Sequence, residues 1–597
     1  MARPTAGSTA TLAVGLAVIV LAIVMVQVPL FDAPALTWDD GEHIFDNVAV
    51  RDGLFGAIWS APEFGLYIPV TRTLWALVYA LGGGAVVPFR VLNLLLHVGN
   101  VLLVARLLTI MSRQTLSTPT GVSAAGAHDA RETSTGDDAR LGEVRLEMVL
   151  VLTGTAFFAL HPAQVAAVAW ISGGRDLLAT LLALSAMVLH VDDGVRARRW
   201  TRDALATLLF VLALLSKPQV AGVPLAIGAW WWFTDRSRLR SAMPMLGLWV
   251  VAVLIAAFMT RAEQATAPTV GWATRVFVAL DALGFYAREM VWPWPLAADY
   301  GRTPRWLLAH PLATVAGVAA LVVLGLVVWL TTRRHGDRLA MPAAGMWLLL
   351  LLPVLGFVPF EYQRISTVAD HYLYLPLVAG AALVMSVGRR LACRITWPVG
   401  RIVSMGGALV IIGTIIGTVL SMHRTTVWSD GDETFYRAML AANADSFSAR
   451  INLSVLLCER GETGAGLDIL DGARTLAAQD APYLANRAFC LLQAGRIDEL
   501  LQVTDALQSE TARRHLDGNP RAAVVFANSV ANALHLQGNE LAAFAWLCRA
   551  QALQPGDATT AANLDTARRM LGGSGPEVVC PEGLTWERLA EVARPAS

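Results

Sequence analysis

Apolar residues in this chain gather into long blocks rather than alternating stripes. The first block covers about residues 10–30. Others lie near 88–110, 147–162, 174–191, 203–216, 219–234, 243–260, 311–330, 342–358, 372–388 and 402–421. A helix needs about 20 apolar residues to cross the roughly 30 Å hydrocarbon core of a bilayer. The pattern therefore predicts an all-α polytopic membrane domain over residues 1–425, with about eleven spans. Several blocks are short, as expected of helices interrupted by Pro or Gly where they line a cavity. Segments 66–82 and 272–296 read as amphipathic helices at the interface, since Trp272, Trp292 and Trp294 suit an aromatic belt.

After about residue 425 the pattern becomes that of paired amphipathic helices. Gly461 and Gly495 stand one tetratricopeptide period apart, and Gly538 continues the series after an extra insertion. Ala543, Ala550 and Pro555 fall where such a repeat places small and terminating residues. A helical-repeat α-solenoid is expected over 426–572, with a tail over 573–597. Residues 111–145 are rich in Ser, Thr, Gly, Ala and Asp without apolar periodicity, and read as a disordered cytoplasmic loop.

Composition sharpens this picture. Of 597 residues, 55% are hydrophobic and only 15% charged, whereas soluble domains run about 25% charged. Lys+Arg and Asp+Glu both number 46, so net charge offers no basis for a nucleic-acid partner. The first block follows Arg3 and is not trailed by a small-residue cleavage site, so it reads as a retained signal anchor. Arg-rich loops (Arg196–Arg202, Arg236–Arg240, Arg333–Arg338, Arg389–Arg401) belong in the cytoplasm. The alternate loops then face outward, beginning with the acidic first loop over 31–87. This places the N-terminus inside and the repeat domain outside a plasma (inner) membrane. Cys458, Cys490, Cys548 and Cys580 then lie in an oxidising compartment, where they pair in one of three ways or stay buried as thiols.

Chemistry gathers at the outward ends of the blocks. Thr37-Trp38-Asp39-Asp40-Gly41-Glu42-His43 leaves the first span with two adjacent carboxylates, one of which can keep a raised pKa and act as a base. The pair can also bind a cation, and a divalent metal stays open, although no second set of ligands stands at metal spacing. Ionisable groups at membrane depth cost several kcal/mol and are functional candidates. Arg90, Asn93 and His97 share one block, and His161-Pro162 ends the next. Trp170-Ile-Ser-Gly-Gly-Arg175-Asp176 opens another, followed by Lys217-Pro218, Arg364 and Asp370-His371-Tyr372-Leu373-Tyr374. Arg175, Lys217, Arg364 and His371 offer donors for a phosphate. A lipid phosphate as leaving group, an acceptor hydroxyl and a carboxylate to take its proton constitute glycosyl transfer from a lipid-linked sugar.

These blocks, in this order, resemble the transmembrane and tetratricopeptide-repeat O-mannosyltransferases and, more closely, their bacterial relatives. The matching runs are Trp38-Asp39-Asp40, Asn47, Val50-Arg51, Arg90-Val-Leu-Asn93-Leu-Leu-Leu-His97-Val-Gly-Asn100, Phe158-Ala-Leu-His161-Pro162, Trp170, Arg175-Asp176, Ser216-Lys217-Pro218 and Asp370-His-Tyr-Leu-Tyr374-Leu-Pro376. The resemblance implies a GT-C glycosyltransferase fold and a polyprenyl-phosphate sugar donor, mannose being the sugar first expected. It implies inverting transfer to a Ser or Thr hydroxyl of an exported protein outside the cytoplasm. It points to Asp39 or Asp40 as base. The residues themselves, gathered at the outward ends of the blocks, put Arg175, Lys217, Arg364 and His371 at the donor phosphate, and Glu42, His43, Arg90, His97, His161, Asp176, Asp370, Tyr372 and Tyr374 around the substrates. Relatives carry Arg-Lys-Asp where this chain has Gly174-Arg175-Asp176, and Arg where it has His371. Two other classes remain: a transporter or flippase with charges along a permeation path, and a non-enzymatic membrane scaffold that recruits partners through its repeats.

Overall fold

The computed structural model describes residues 6–593 apart from 61, 63–64, 117–134, 193–198, 261–269, 334–337, 475–477, 573–578 and 582. Its regular elements are all helices. The chain divides into two compact units, Met1–Gly431 and Asp432–Ser597.

Among the described residues of the first unit, six helices are long and apolar enough to cross a membrane: Ala10–Leu30, Val87–Thr115, Ile171–Val191, Arg236–Thr260, Pro311–Thr332 and Val399–Ser429. They differ in where they sit. The second and third are 56% and 61% buried in the unit, whereas the last three are 22%, 17% and 17% buried and turn apolar side chains outward. Packing therefore centres on Val87–Leu116 (α1) and Gly174–Val191 (α2), which lie against each other. Two other apolar blocks form helices of only 12 residues, Val223–Thr234 (α3) and Ala340–Leu351 (α4). Each is roughly 18 Å long, short of the hydrocarbon core. They pack side by side. Gly222, just before α3, sits so close to α4 that an added Cβ would fall 2.1 Å from the Leu349 carbonyl oxygen.

One expectation is corrected in part and a second gains detail. The loop expected over 111–145 is helical at both ends, since α1 continues to Leu116 and the next helix, Thr135–Ala159, begins before its end. Ser112 and Thr115 are buried there, bonded to Arg389; residues 117–134 lie outside the described residues. Segment 272–296, expected as an amphipathic interface helix, forms Trp272–Val291 (α5), one face of which is buried in the unit. Gly284 meets Gly317 backbone to backbone, with 2.4 Å from a built Cβ to the Gly317 carbonyl carbon. Trp272 and Trp292 at its ends remain exposed.

The two ends of α2 carry different chemistry. At its C-terminal end Asp192 pairs with Arg106, and Gln114 donates to the Val191 carbonyl at 2.9 Å. At its N-terminal end, about 27 Å away for 18 residues, lie Arg175 and Asp176 with the first loop.

The second unit is a stack of helical hairpins. Phe447–Glu459 pairs with Thr463–Asp471, Ala481–Gln493 with Ile497–Val503, and Pro520–Leu536 with Glu540–Leu553. The turns rest on Gly461, Gly495 and Gly538 at φ +84°, +67° and +78°, a left-handed conformation that glycine adopts without a Cβ penalty. The longer interval before Gly538 is occupied by a further helix, Glu510–Asp517. Disulfides join Cys458 to Cys490 and Cys548 to Cys580. Each cross-links residues 32 apart, so opening either one with Cys→Ser is expected to lower the stability of this unit by about 2–4 kcal/mol. Thermal unfolding of the Cys458→Ser and Cys548→Ser variants checks this, and an unchanged midpoint in both would contradict it.

Candidate functional site

The first loop is positioned by residues far from it in sequence. Asp40 is fully buried and accepts hydrogen bonds from the Ser172 amide at 2.9 Å, the Ser172 hydroxyl at 2.7 Å and the Leu36 amide at 3.4 Å. Burial raises its pKa above the ordinary carboxylate value, and these bonds with the Arg90 charge oppose the rise. Arg90 ties the loop to the bundle by donating to the Pro34 carbonyl at 3.0 Å and to the Ala169 carbonyl. Asn93 donates to the Trp170 carbonyl at 2.9 Å, and Gly174 makes room for it: a Cβ there would lie 2.7 Å from Asn93 Oδ1. Asp40 and Arg90, expected as base and substrate contact, are thus consumed in holding the loop. Asp40→Asn puts an amide N–H against buried donors. A loss of about 1–3 kcal/mol in stability is expected, read by thermal unfolding; unchanged stability would remove this structural role.

Asp39 points the other way. Its side chain is 29% exposed and lies 3.8 Å from Arg175 Nη2 and 3.9 Å from His43 Nε2. Burial of its surroundings pushes its pKa up to about 6; Arg175 pulls it down, while Asp40 and Glu42 push it up. Arg175 Nη1 donates to His43 Nε2 at 3.4 Å, so that nitrogen carries a lone pair. Burial and the nearby charges of Arg175 and Arg72 hold His43 down to about 3, which keeps it neutral. Arg175 lies 4.7 Å over Trp170, which stacks on Trp38 at 5.8 Å, and its buried Nε has no hydrogen-bond partner.

Beyond Arg175 the wall is formed by His371 and Tyr372. His371 packs on Trp170 at 5.5 Å and on Tyr372 at 4.4 Å. Burial, with the charges of Lys217 and Arg175, lowers its pKa, so it offers a neutral imidazole rather than the expected cation. Lys217 Nζ lies 2.5 Å from Asp176 Oδ1 and 5.5 Å over the Tyr372 ring. Asp176 is therefore the partner of Lys217, and together they line a water-sized cavity with Thr180 and Gln219.

The sequence pattern does not mark Arg72, because segment 66–82 reads as an interface helix where an arginine is unremarkable. It lies on Pro69–Gly82, is 6% exposed, and its helix is tied to the Lys217 turn by Thr71 Oγ1 donating to the Ser216 carbonyl at 2.9 Å. Behind exposed Glu42, four buried cations (Arg72, Arg90, Arg175, Lys217) face three carboxylates (Asp39, Asp40, Asp176). That excess of positive charge suits an anion.

The remaining expected residues lie apart from the Asp39 opening. His97 bonds Tyr374 through Nδ1 at 2.7 Å and the Ala159 carbonyl through Nε2 at 3.1 Å, and Tyr374 also receives Asn100 at 3.1 Å. Both are buried packing groups with their polar atoms satisfied. His161 likewise spends Nε2 on the Met290 carbonyl and Nδ1 on the Ala163 amide, both at 3.3 Å. Asp370 turns away from the site toward Tyr300 and Arg424. Arg364 is exposed rather than buried with the other cations. No group of three or more His, Cys, Asp or Glu placed to hold a metal ion occurs among the described residues.

Compared with known proteins, the chain matches no family model and no curated protein. The chemistry must therefore be read from the site itself. A carboxyl with a pKa near 6 is poised to accept a proton at neutral pH. Guanidinium and ammonium groups beside it can stabilise a developing phosphate charge.

Proposed function

We propose that the chain is an integral-membrane glycosyltransferase of GT-C type. It moves a sugar, mannose in the first instance, from a polyprenyl-phosphate donor to a Ser or Thr hydroxyl of an exported protein. In this reading about eleven segments span or enter the plasma membrane, and the acceptor is engaged outside the cytoplasm. The second unit is a tetratricopeptide-type solenoid that presents the acceptor. Asp39 takes the hydroxyl proton as the acceptor oxygen attacks the anomeric carbon. The bond to the donor phosphate breaks with inversion, and Arg175, Arg72 and Lys217 hold the departing phosphate.

The observation that carries the reading is the pairing of a partly open, high-pKa carboxyl with an excess of buried cations at one end of the helices. The resemblance of the Trp38-Asp39-Asp40, His161-Pro162, Arg175-Asp176 and Lys217-Pro218 runs supports it, as does the disulfide pairing of the second unit, which suits an oxidising compartment. The test is transfer of radiolabel from polyprenyl-phosphate mannose to a Ser/Thr-rich acceptor protein by the purified full chain. Label appearing in the acceptor supports the reading. Absence of transfer across mannose, glucose and N-acetylglucosamine donors would overturn it.

A further inference from the structure

Behind the wall formed by His371 and Tyr372 lies a second polar cluster. Glu289 on α5 is 1% exposed, Asp370 at the start of the Asp370–Leu373 turn is 2% exposed, and Arg424 of Val399–Ser429 is 8% exposed. Tyr300 completes it. The Tyr300 oxygen receives the Ala297 amide at 3.0 Å, lies 3.1 Å from Glu289 Oε1, and bonds Asp370 Oδ1. The two carboxyl groups thus meet at one phenol oxygen, and the buried Glu289 Oε2 has no hydrogen-bond partner of its own.

Counting protons decides what this cluster is. Tyr300 has one hydroxyl hydrogen and two carboxyl oxygens competing for it. Two carboxylates pressed together in a buried site repel strongly, and they relieve this by sharing one proton. Arg424 Nη2 lies 3.3 Å from Asp370 Oδ2 and supplies one positive charge, which balances one anion but not two. Arg288, on the same helix as Glu289, is the other nearby cation, lying 5.1 Å over Phe285. Tyr286 faces the same region and accepts the Ala369 amide at 3.1 Å.

We infer that Glu289 and Asp370 share a single proton, held by Tyr300 and balanced by Arg424, and that Glu289 is through it a positioning residue for the site. This rests on the function proposed above. Asp370 shares one short turn with His371, which contacts Trp170, and Tyr372, which lies beneath Lys217. With the proton present, Asp370 is clamped between Tyr300 and Arg424, and the two rings are fixed. When alkali removes the proton, the carboxylates separate and the turn that carries both rings moves. Activity should then fall on the alkaline side for a reason that lies outside the reacting groups.

Glu289→Gln and Glu289→Ala separate this from a merely structural role. Gln keeps a hydrogen-bond donor toward Asp370 but has no proton to lose. Glu289→Gln is expected to keep transfer at pH 7 within about twofold of the parent and to move the alkaline limb of kcat upward by at least one pH unit. Glu289→Ala should lose about tenfold or more at pH 7. Equal losses in both variants, or an alkaline limb that does not move in Glu289→Gln, would overturn the inference. A second readout does not depend on sugar transfer. Infrared difference spectra across an alkaline titration should show a buried protonated carboxyl in the parent that is missing in Glu289→Gln. Finding that band while transfer is absent retains the shared proton and removes the proposed function; transfer without the band does the reverse.

Discussion

Replacing Asp39 by Asn is expected to lower the rate of sugar transfer by about two to three orders of magnitude while leaving the protein folded. A positioned general base contributes about 10²–10⁴ in rate, and Asn keeps the shape but cannot take a proton. The stability side has the opposite sign. The folded pKa of about 6 lies above the ordinary 3.8, so the folded state holds this proton more tightly than the unfolded chain does. Relative to the protonated form, stability from this group is full below about pH 4 and is lost as pH rises to about 6. Above that, the ionised carboxylate costs on the order of 2–3 kcal/mol. Asn removes that cost, so the Asp39→Asn variant should melt no lower than the parent at pH 7.5. Stability tied up in an active group in this way is a common trade. Transfer assays from pH 5 to 8, beside thermal unfolding of both proteins, provide the check. Parent activity should fall below about pH 6, where the base becomes protonated. Equal transfer by parent and variant would take Asp39 out of the mechanism.

The contrast between the two acids of the Asp39-Asp40 pair shows what can be read from the chain and what cannot. That the pair stands where an apolar helix meets a polar loop is visible in sequence, because block length and composition are local properties. Which acid is open is not local. Asp40 is closed by Ser172, 132 residues away, and Asp39 faces Arg175 from the same distant segment. The same reason hid the fates of His97 and His161, whose partners Tyr374 and Met290 come from much later segments. Helicity was legible in the apolar blocks, six of which form helices of membrane-crossing length among the described residues, but not at the two ends of 111–145, whose polar composition reads as loop. The blocks that became α3 and α4 were legible as apolar but not as 12-residue helices, since their packing, with Gly222 close against the Leu349 carbonyl, is not a local property. Arg72 and Glu289 do not stand out in the sequence, because both lie on segments that read as interface helices, where charge needs no special partner. Burial, which sequence does not supply, is what makes them informative.

Arg175 should show the second large effect. It comes from the same turn that holds Asp40, it stacks on Trp170, and its contacts to His43 at 3.4 Å and Asp39 at 3.8 Å are long enough to be exchanged for a phosphate. A guanidinium presents a planar fork of donors, whereas a lysine is a single point charge. Arg175→Ala is therefore expected to lower kcat by about 10²–10³, the usual scale for removing one group that stabilises developing charge. Arg175→Lys should fall between Ala and the parent, because charge is kept and the fork is lost. The pH profile supplies a second, independent readout. Arg175 pulls the Asp39 pKa down, so its removal lets burial and the neighbouring acids push that pKa above 6. The acid limb of the residual activity of Arg175→Ala should then lie at higher pH than in the parent, and Arg175→Lys should restore most of the shift. An acid limb that stays in place would mean that Arg175 and Asp39 do not act on one reaction, and a lysine variant as active as the parent would mean that the phosphate is held elsewhere.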